Sequence, residues 1–335
     1  MRKRRKKLFL TILILVFIVI LLFLLRRPAG VVNGDDIKWG TAFSKDFAEK
    51  MSLDWRETYL AILDDLKPKA LRLPIYWDDI EPQAGVYKFD DYDWMVHQAK
   101  ERNIELILVI GRKLPRWPEC HVPGWAASLN LESQKTKLLK TLPEIVNRYK
   151  DLDNLYLWQV ENEPFLPFGE CQLAGGEFLD KEIELVRSLD PKHQILVTDS
   201  GEISIWLRAA SRGDIFGTTV YRVIWNQYLG YFKYPLPPKF FWLKANLTRF
   251  FNPGKPIIVS ELQGETWGHR MPYETALEEQ FKSMDLGQFN ENIAYVKQIG
   301  FPEVYLWGAE WWYWLKVKHN QPEFWEAAKK IINSN

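Results

Sequence analysis

The sequence predicts an α/β chain, a (β/α)8 barrel preceded by one N-terminal transmembrane helix. Three observations carry that reading. An apolar run, Leu8–Leu25, follows a basic cluster. Behind it, eight β-type runs alternate with amphipathic stretches over about 300 residues, the count for such a barrel. Two of those runs, Leu155–Val160 and Ile257–Glu261, lead straight into carboxylates at Glu163 and Glu261.

The N-terminal segments follow from charge and hydropathy. Residues 1–7 are a basic cytoplasmic tail, residues 8–25 an apolar span broken only by Thr11, residues 26–35 a short stem, and residues 36–335 the barrel. Eighteen residues at ~1.5 Å rise cover roughly 27 Å, enough for a bilayer core. The positive charge is heavier before the span, so the N-terminus stays in the cytoplasm and the barrel lies outside. A cleaved signal peptide is the rival reading, but Arg26, Arg27 and Pro28 stand where a cleavage site wants small residues. A single-pass protein of the cell membrane, contacting lipid through residues 8–25, is therefore expected.

The net charge of +1 conceals an asymmetry: residues 2–27 hold 8 of the 44 Lys and Arg, leaving 36 basic against 43 acidic groups. A mildly acidic domain is not a nucleic-acid binder. No obligate protein partner is evident. No cofactor or metal is expected either, because His121 and His269 have no second His or Cys at ligand spacing.

In chain order the strand-like runs are Ile37–Phe43, Ala70–Tyr76, Ile104–Ile110, Leu155–Val160, Gln194–Thr198, Ile215–Tyr221, Ile257–Glu261 and Val304–Trp307. Between or after them, helical periodicity marks Trp55–Leu66, Tyr92–Arg102, Ser133–Tyr149, Glu177–Leu189 and Glu323–Ile332. A doubly wound open sheet would carry a Gly-rich turn after its first strand, and none is present.

Those residues resemble the retaining glycoside hydrolases of clan A, the TIM-barrel superfamily of cellulases, mannanases and β-galactosidases, over roughly residues 36–333. Asn162-Glu163-Pro164 stands where the clan has its acid/base Glu, and Glu261 where it has its nucleophile. Arg72, Tyr221 and Trp307 match its Arg, Tyr and Trp at strands two, six and eight. Trp77 to Tyr87 resembles its W-x-x-x-E-P-x-x-G-x-Y loop. Thr219 stands where cellulase-type members carry a His. The resemblance implies a retaining β-glycosidase acting on a β-linked carbohydrate, with Arg72, Trp77, Asn162, Tyr221 and Trp307 binding substrate. Two carboxylates at a barrel mouth suit double displacement, one attacking and one protonating the leaving oxygen.

Other residues have plainer readings. Glu161 is expected to be an exposed carboxylate, and Arg112, Lys113 and Arg116 a solvated basic loop. His121 and His269 read as solvated loop residues or subsite contacts. Of the Trp residues near the strand ends, about a third are expected to touch sugar. Cys120 and Cys171 follow strands three and four, so their loops are neighbours and, outside the cytoplasm, the pair forms a disulfide. Asn246-Leu247-Thr248 is a glycosylation sequon. A transglycosylase using the same carboxylates, or a catalytically silent sugar-binding receptor, is the alternative function.

Overall fold

The structure, a computed structural model, describes residues 2–334, with the side chains of residues 2–5, 8, 20, 21 and 23 outside the description. Most of the expected basic tail falls on those undescribed side chains. Eight parallel strands close a barrel: β1 (Lys38–Ala42), β2 (Ala70–Pro74), β3 (Glu105–Ile110), β4 (Leu155–Val160), β5 (Gln194–Asp199), β6 (Ile215–Val220), β7 (Ile257–Gln263) and β8 (Glu303–Trp307). Each pairs with its sequence neighbours, and β8 closes on β1. All eight expected strands are present to within a residue or two of their ends.

The helices named here are α1 (Arg2–Leu25), α2 (Trp55–Ala61), α3 (Asp90–Glu101), α4 (Leu131–Tyr149), α5 (Gly176–Leu189), α6 (Pro238–Phe251), α7 (Leu286–Ile299), α8 (Ala309–His319) and α9 (Glu323–Ile332). Local chemistry sets their ends. Asn130 caps α4 by accepting from Ser133 N, and Gly300 ends α7 in the left-handed conformation, φ +71°. On α9, Phe324, Trp325, Ala328 and Ile332 form one buried stripe at helical spacing. A hairpin, Val223–Asn226 with Gly230–Lys233, stands outside the barrel.

Two apolar layers hold the fold. Strand residues facing outward pack against the helices, as Leu71, Leu106, Val197 and Val259 do. Inside the barrel, Ala70, Ile107, Leu157, Leu196, Ile258 and Tyr305 fill the strand-start end. Two residues further along β2 and β4, the same inward parity places Arg72 and Gln159 above this apolar floor.

The stem is not a loose tether. Pro28 is buried, Val31 and Val32 pack on the core, and Val32 N donates to Gly300 O at 2.8 Å. Asn246 of α6 is buried and donates from Nδ2 to Leu24 O and Arg26 O, each at 2.8 Å, so the sequon side chain closes the end of α1. Among the described residues, no helix is long and apolar enough to cross a membrane. The 18-residue run Leu8–Leu25 includes Leu8, Ile20, Leu21 and Phe23, whose side chains are not described.

Candidate active site at the barrel mouth

Glu261 reaches the mouth through an irregularity in β7. Thr218 pairs with Val259 but Thr219 with Glu261, so Ser260 is an extra residue. The register with β8 shifts at the same place. Ile258 faces the barrel interior, so plain alternation would turn Glu261 outward. The bulge restores it to the inside. There its carboxylate, almost buried, accepts from Arg72 Nη1 at 2.6 Å and from Tyr221 Oη at 2.9 Å.

Arg72 is fully buried and divides its fork among three acceptors: Glu261, Gln159 Oε1 at 2.7 Å and Asn162 Oδ1 at 2.8 Å. Such a group holds other residues and does not itself meet a substrate, which corrects the expectation that Arg72 binds sugar. Asn162 Oδ1 is also met by Thr198 Oγ1 at 3.2 Å.

The backbone after β4 is unusual. Glu161 and Glu163 both take positive φ, +58° and +43°, which non-glycine residues rarely adopt. The two glutamates therefore part company. Glu161 turns under the loop after β3 and accepts from Arg112 N at 2.8 Å and Lys113 N at 2.6 Å. A Cβ at Gly111, φ +138°, would lie 2.8 Å from the Glu161 carboxyl carbon, so that loop needs glycine there. Glu161 is thus a buried structural carboxylate, not the exposed residue expected.

Glu163 turns into the mouth. Its carboxylate accepts from Thr219 Oγ1 at 3.2 Å, and its backbone N–H donates to Thr198 Oγ1 at 3.0 Å. Burial holds its proton well above the usual carboxylate range. The charges of Glu261 and Glu119 add to that effect, and Lys113 opposes it.

Glu119 is a third carboxylate at this site, absent from the sequence reading. It pairs with buried Lys113, whose Nζ also donates to Asn162 O at 3.2 Å. Burial pushes Glu119 up to about 7 against the pull of Lys113. The Cys120–Cys171 disulfide, with Cα atoms 4.8 Å apart, fastens this loop to the one after β4, as expected.

The basic loop is not solvated. Arg112 donates to Gln134 Oε1 and Gln172 O. Arg116 crosses the mouth to pair with Glu265 and Glu310. Its guanidinium lies 3.8 Å from the Phe47 ring centroid and 4.0 Å from that of Trp307. One face of Trp307 is therefore covered by Arg116. His121 is also buried, stacked on Tyr76 at 4.0 Å, whereas His269 is exposed.

Trp77 is corrected as well. It is fully buried and donates from Nε1 to Glu81 at 2.6 Å. Glu81 also accepts from Gly85 N and Thr141 Oγ1. The W-x-x-x-E-P-x-x-G stretch is a lock for the loop after β2. Aromatic faces at the mouth come from elsewhere. Trp117, Phe168, Trp267 and Tyr221 form a continuous series with centroid spacings of 6.1, 5.4 and 5.0 Å. Phe168 was not legible in advance; Trp117 and Trp267 were among the Trp residues near strand ends.

One mouth of a closed parallel barrel thus holds a donor-held glutamate and a proton-retaining glutamate, a pair suited to nucleophile and general-acid chemistry. Residues 73–210 match Glycosyl hydrolase family 10. Endo-1,4-beta-xylanase C of Phanerodontia chrysosporium is 27% identical over 152 residues, 42% of this chain and 36% of that protein. Endo-1,4-beta-xylanase 2 of Claviceps purpurea is 25% identical over 130 residues, 37% of this chain and 38% of that protein. The matches thus span under two-fifths of those relatives' length. Xylanase 10B of Thermotoga maritima superposes with TM-score 0.56 at 18% identity, covering 89% of this chain and 95% of that one. A β-galactosidase of Rahnella sp. R3 gives 0.57 at 12% identity, covering 84% and 50%. The structural likenesses are of fold. Taken together, the comparisons show that residues 73–210 are similar to Glycosyl hydrolase family 10 and that the barrel has the fold of known glycoside hydrolases.

Proposed function

We propose that the chain is a retaining β-glycosidase that hydrolyses a β-linked oligo- or polysaccharide by double displacement, with Glu261 as nucleophile and Glu163 as acid/base. The asymmetry between the two carboxylates carries this reading. Glu261 accepts from a guanidinium and a phenol, which suits a carboxylate that attacks. Glu163 keeps its proton, which suits a group that gives one up.

In the first step a Glu261 oxygen bonds the anomeric carbon as the bond to the leaving oxygen breaks, and Glu163 gives that oxygen its proton. Forming the ester removes the Glu261 charge, one of the causes raising Glu163, so the Glu163 pKa falls and the carboxylate stays ionised, ready to act as the base. It then takes a proton from the water that displaces Glu261. Asn162 Nδ2 donates to the sugar 2-hydroxyl, and the Trp267–Phe168–Trp117 series offers the ring C–H faces an apolar surface. The named curated relatives are endo-1,4-β-xylanases, so β-1,4-xylan heads the proposed substrates.

Proton NMR of the first-formed product tests the mechanism. The β-anomer should appear first from a β-linked substrate. An initial α-anomer would show that Glu261 activates water instead, and double displacement would have to be dropped.

Protonation gives a second expectation. Glu163 acts as an acid, so kcat/KM falls as pH rises through its elevated pKa and the proton is lost. Glu163→Gln removes that alkaline limb. Glu163→Ala costs roughly 10²–10⁴-fold on poor leaving groups and much less on activated aryl glycosides. Equal losses on both would argue against the acid assignment.

The proposal includes a place: an uncleaved membrane anchor at residues 8–25, with the barrel outside. It is supported by the apolar run itself, by the exposure of Phe9, Phe17, Val19 and Leu22 on α1, and by a disulfide suited to an oxidising compartment.

A further inference from the structure

The strand-start end of the barrel, opposite the mouth, carries an unusual surface. Helix α6 runs back from the mouth to feed β7, so its last turn lies at that end. There Phe250 and Phe251 are 68% and 60% exposed, their rings edge to face at 5.1 Å. Two adjacent phenylalanines left in water need a covering partner.

The covering partner is indicated by what surrounds them. Asn246, one turn earlier on α6, holds the end of α1 through Leu24 O and Arg26 O. The stem is pinned to the same end through Val32 and Gly300, and by Lys297 with Asp35. The anchor therefore leaves the barrel beside these rings, on a short and ordered connection.

Charge points the same way. From Ile215 to Ser260 the chain has no Asp or Glu, while Arg222, Lys233, Lys239, Lys244, Arg249 and Lys255 are basic. Of these, Arg249 and Lys255 flank the Phe pair. Arg249 is half-buried: it donates from Nε to Lys255 O, its buried Nη1 has no hydrogen-bond partner, and no described carboxylate forms an ion pair with it. Lys255 donates to a carbonyl, Gly213 O, and has the Asp214 carboxylate nearby. Exposed aromatic rings beside a basic segment and the exposed Arg26 and Arg27 at the end of α1 match the headgroup region of an anionic bilayer.

We propose that the barrel docks on the anionic membrane that holds α1, seated on Phe250 and Phe251, with its mouth facing away from the lipid. The docked orientation rests on the anchor reading, and it adds a substrate restriction. The glycan that reaches Glu163 and Glu261 approaches from outside and is not a headgroup of the same membrane.

Site-specific quenching on the full chain tests it. The described residues contain no free cysteine, so one introduced thiol can be labelled with bimane. Phe17→Cys, Phe251→Cys and Tyr228→Cys report the anchor, the docking end and the mouth; Tyr228 is 85% exposed on the hairpin loop. Each protein is placed in phosphatidylcholine vesicles with and without phosphatidylglycerol, carrying spin-labelled lipids.

Docking predicts severalfold quenching at residue 251 by headgroup labels, stronger with phosphatidylglycerol, and none at residue 228. Quenching at residue 17 without any at 251 would overturn docking and leave the anchor standing. Quenching at 228 in place of 251 would reverse the orientation and overturn it too. No quenching at residue 17 would remove the anchor, and residue 251 would still decide docking. Thermal melts of the labelled proteins check that each is folded.

Discussion

Replacing Glu261 by Ala is expected to abolish turnover on every glycoside, whatever its leaving group. No covalent intermediate can form without it, and removing a nucleophile that works with its partners as a unit costs roughly four or more orders of magnitude. The loss should separate cleanly from that of Glu163→Ala, which spares activated substrates. Added azide should rescue the two variants with different stereochemistry. In Glu163→Ala it attacks the glycosyl-enzyme and gives the β-glycosyl azide. In Glu261→Ala it attacks in place of the missing carboxylate and gives the α-product. Assays on an aryl β-glycoside panel, with anomers assigned by NMR, check both. Residual wild-type turnover in Glu261→Ala would move the nucleophile elsewhere.

Arg72→Met should damage both fold and chemistry. The guanidinium is fully buried and serves three acceptors at once, Glu261, Gln159 and Asn162. Removing one partner of a buried pair costs about 3–5 kcal/mol, because the other charge is left uncompensated. Glu261 would retain Tyr221 as a donor but lose the group that fixes its direction. Activity should fall by roughly 10²-fold or more as the nucleophile loses its aim. Arg72→Lys is the informative companion. It keeps the charge but cannot reach three separate acceptors with one ammonium, so it should recover stability better than kcat. Thermal melts beside kcat measurements on folded protein separate the effects. Full activity in folded Arg72→Lys would show that the charge alone suffices.

The barrel was legible because each strand is covered on both faces and so reads as a short apolar run. Helices α2 to α5 and α9 were legible by period, as α9 illustrates, whereas α6 and α7 were not marked. Helix α8 was not: Glu310, Trp311, Trp312, Tyr313 and Leu315 are all buried, which leaves no polar face to give a rhythm. The Glu163 and Glu261 strings stood out, but the routes by which they reach the mouth did not. Alternation could not foresee an extra residue at Ser260 or positive φ at Glu161 and Glu163. Gln159 could have been found, since it shares inward parity with Leu157. Trp77 was misread because a Trp near a strand end looks the same whether packed or open. Arg116 was misread for a related reason. Its partners, Glu265 and Glu310, lie 149 and 194 residues away, where no local pattern reaches.

The Asn246 side chain has a consequence for making this protein in a host that N-glycosylates. The sugar would be attached to the same nitrogen that donates to Leu24 O and Arg26 O. Glycan transfer to the nascent chain would therefore prevent α1 from seating on α6, and the yield of folded protein would suffer for a reason unrelated to activity. Thr248 offers the remedy. Its hydroxyl is buried without a partner, a state that costs about 1–3 kcal/mol. Thr248→Val deletes the acceptor sequence and leaves Asn246 untouched. The variant should be recovered from such a host as a single unglycosylated species by mass, melting no lower than the unmodified protein.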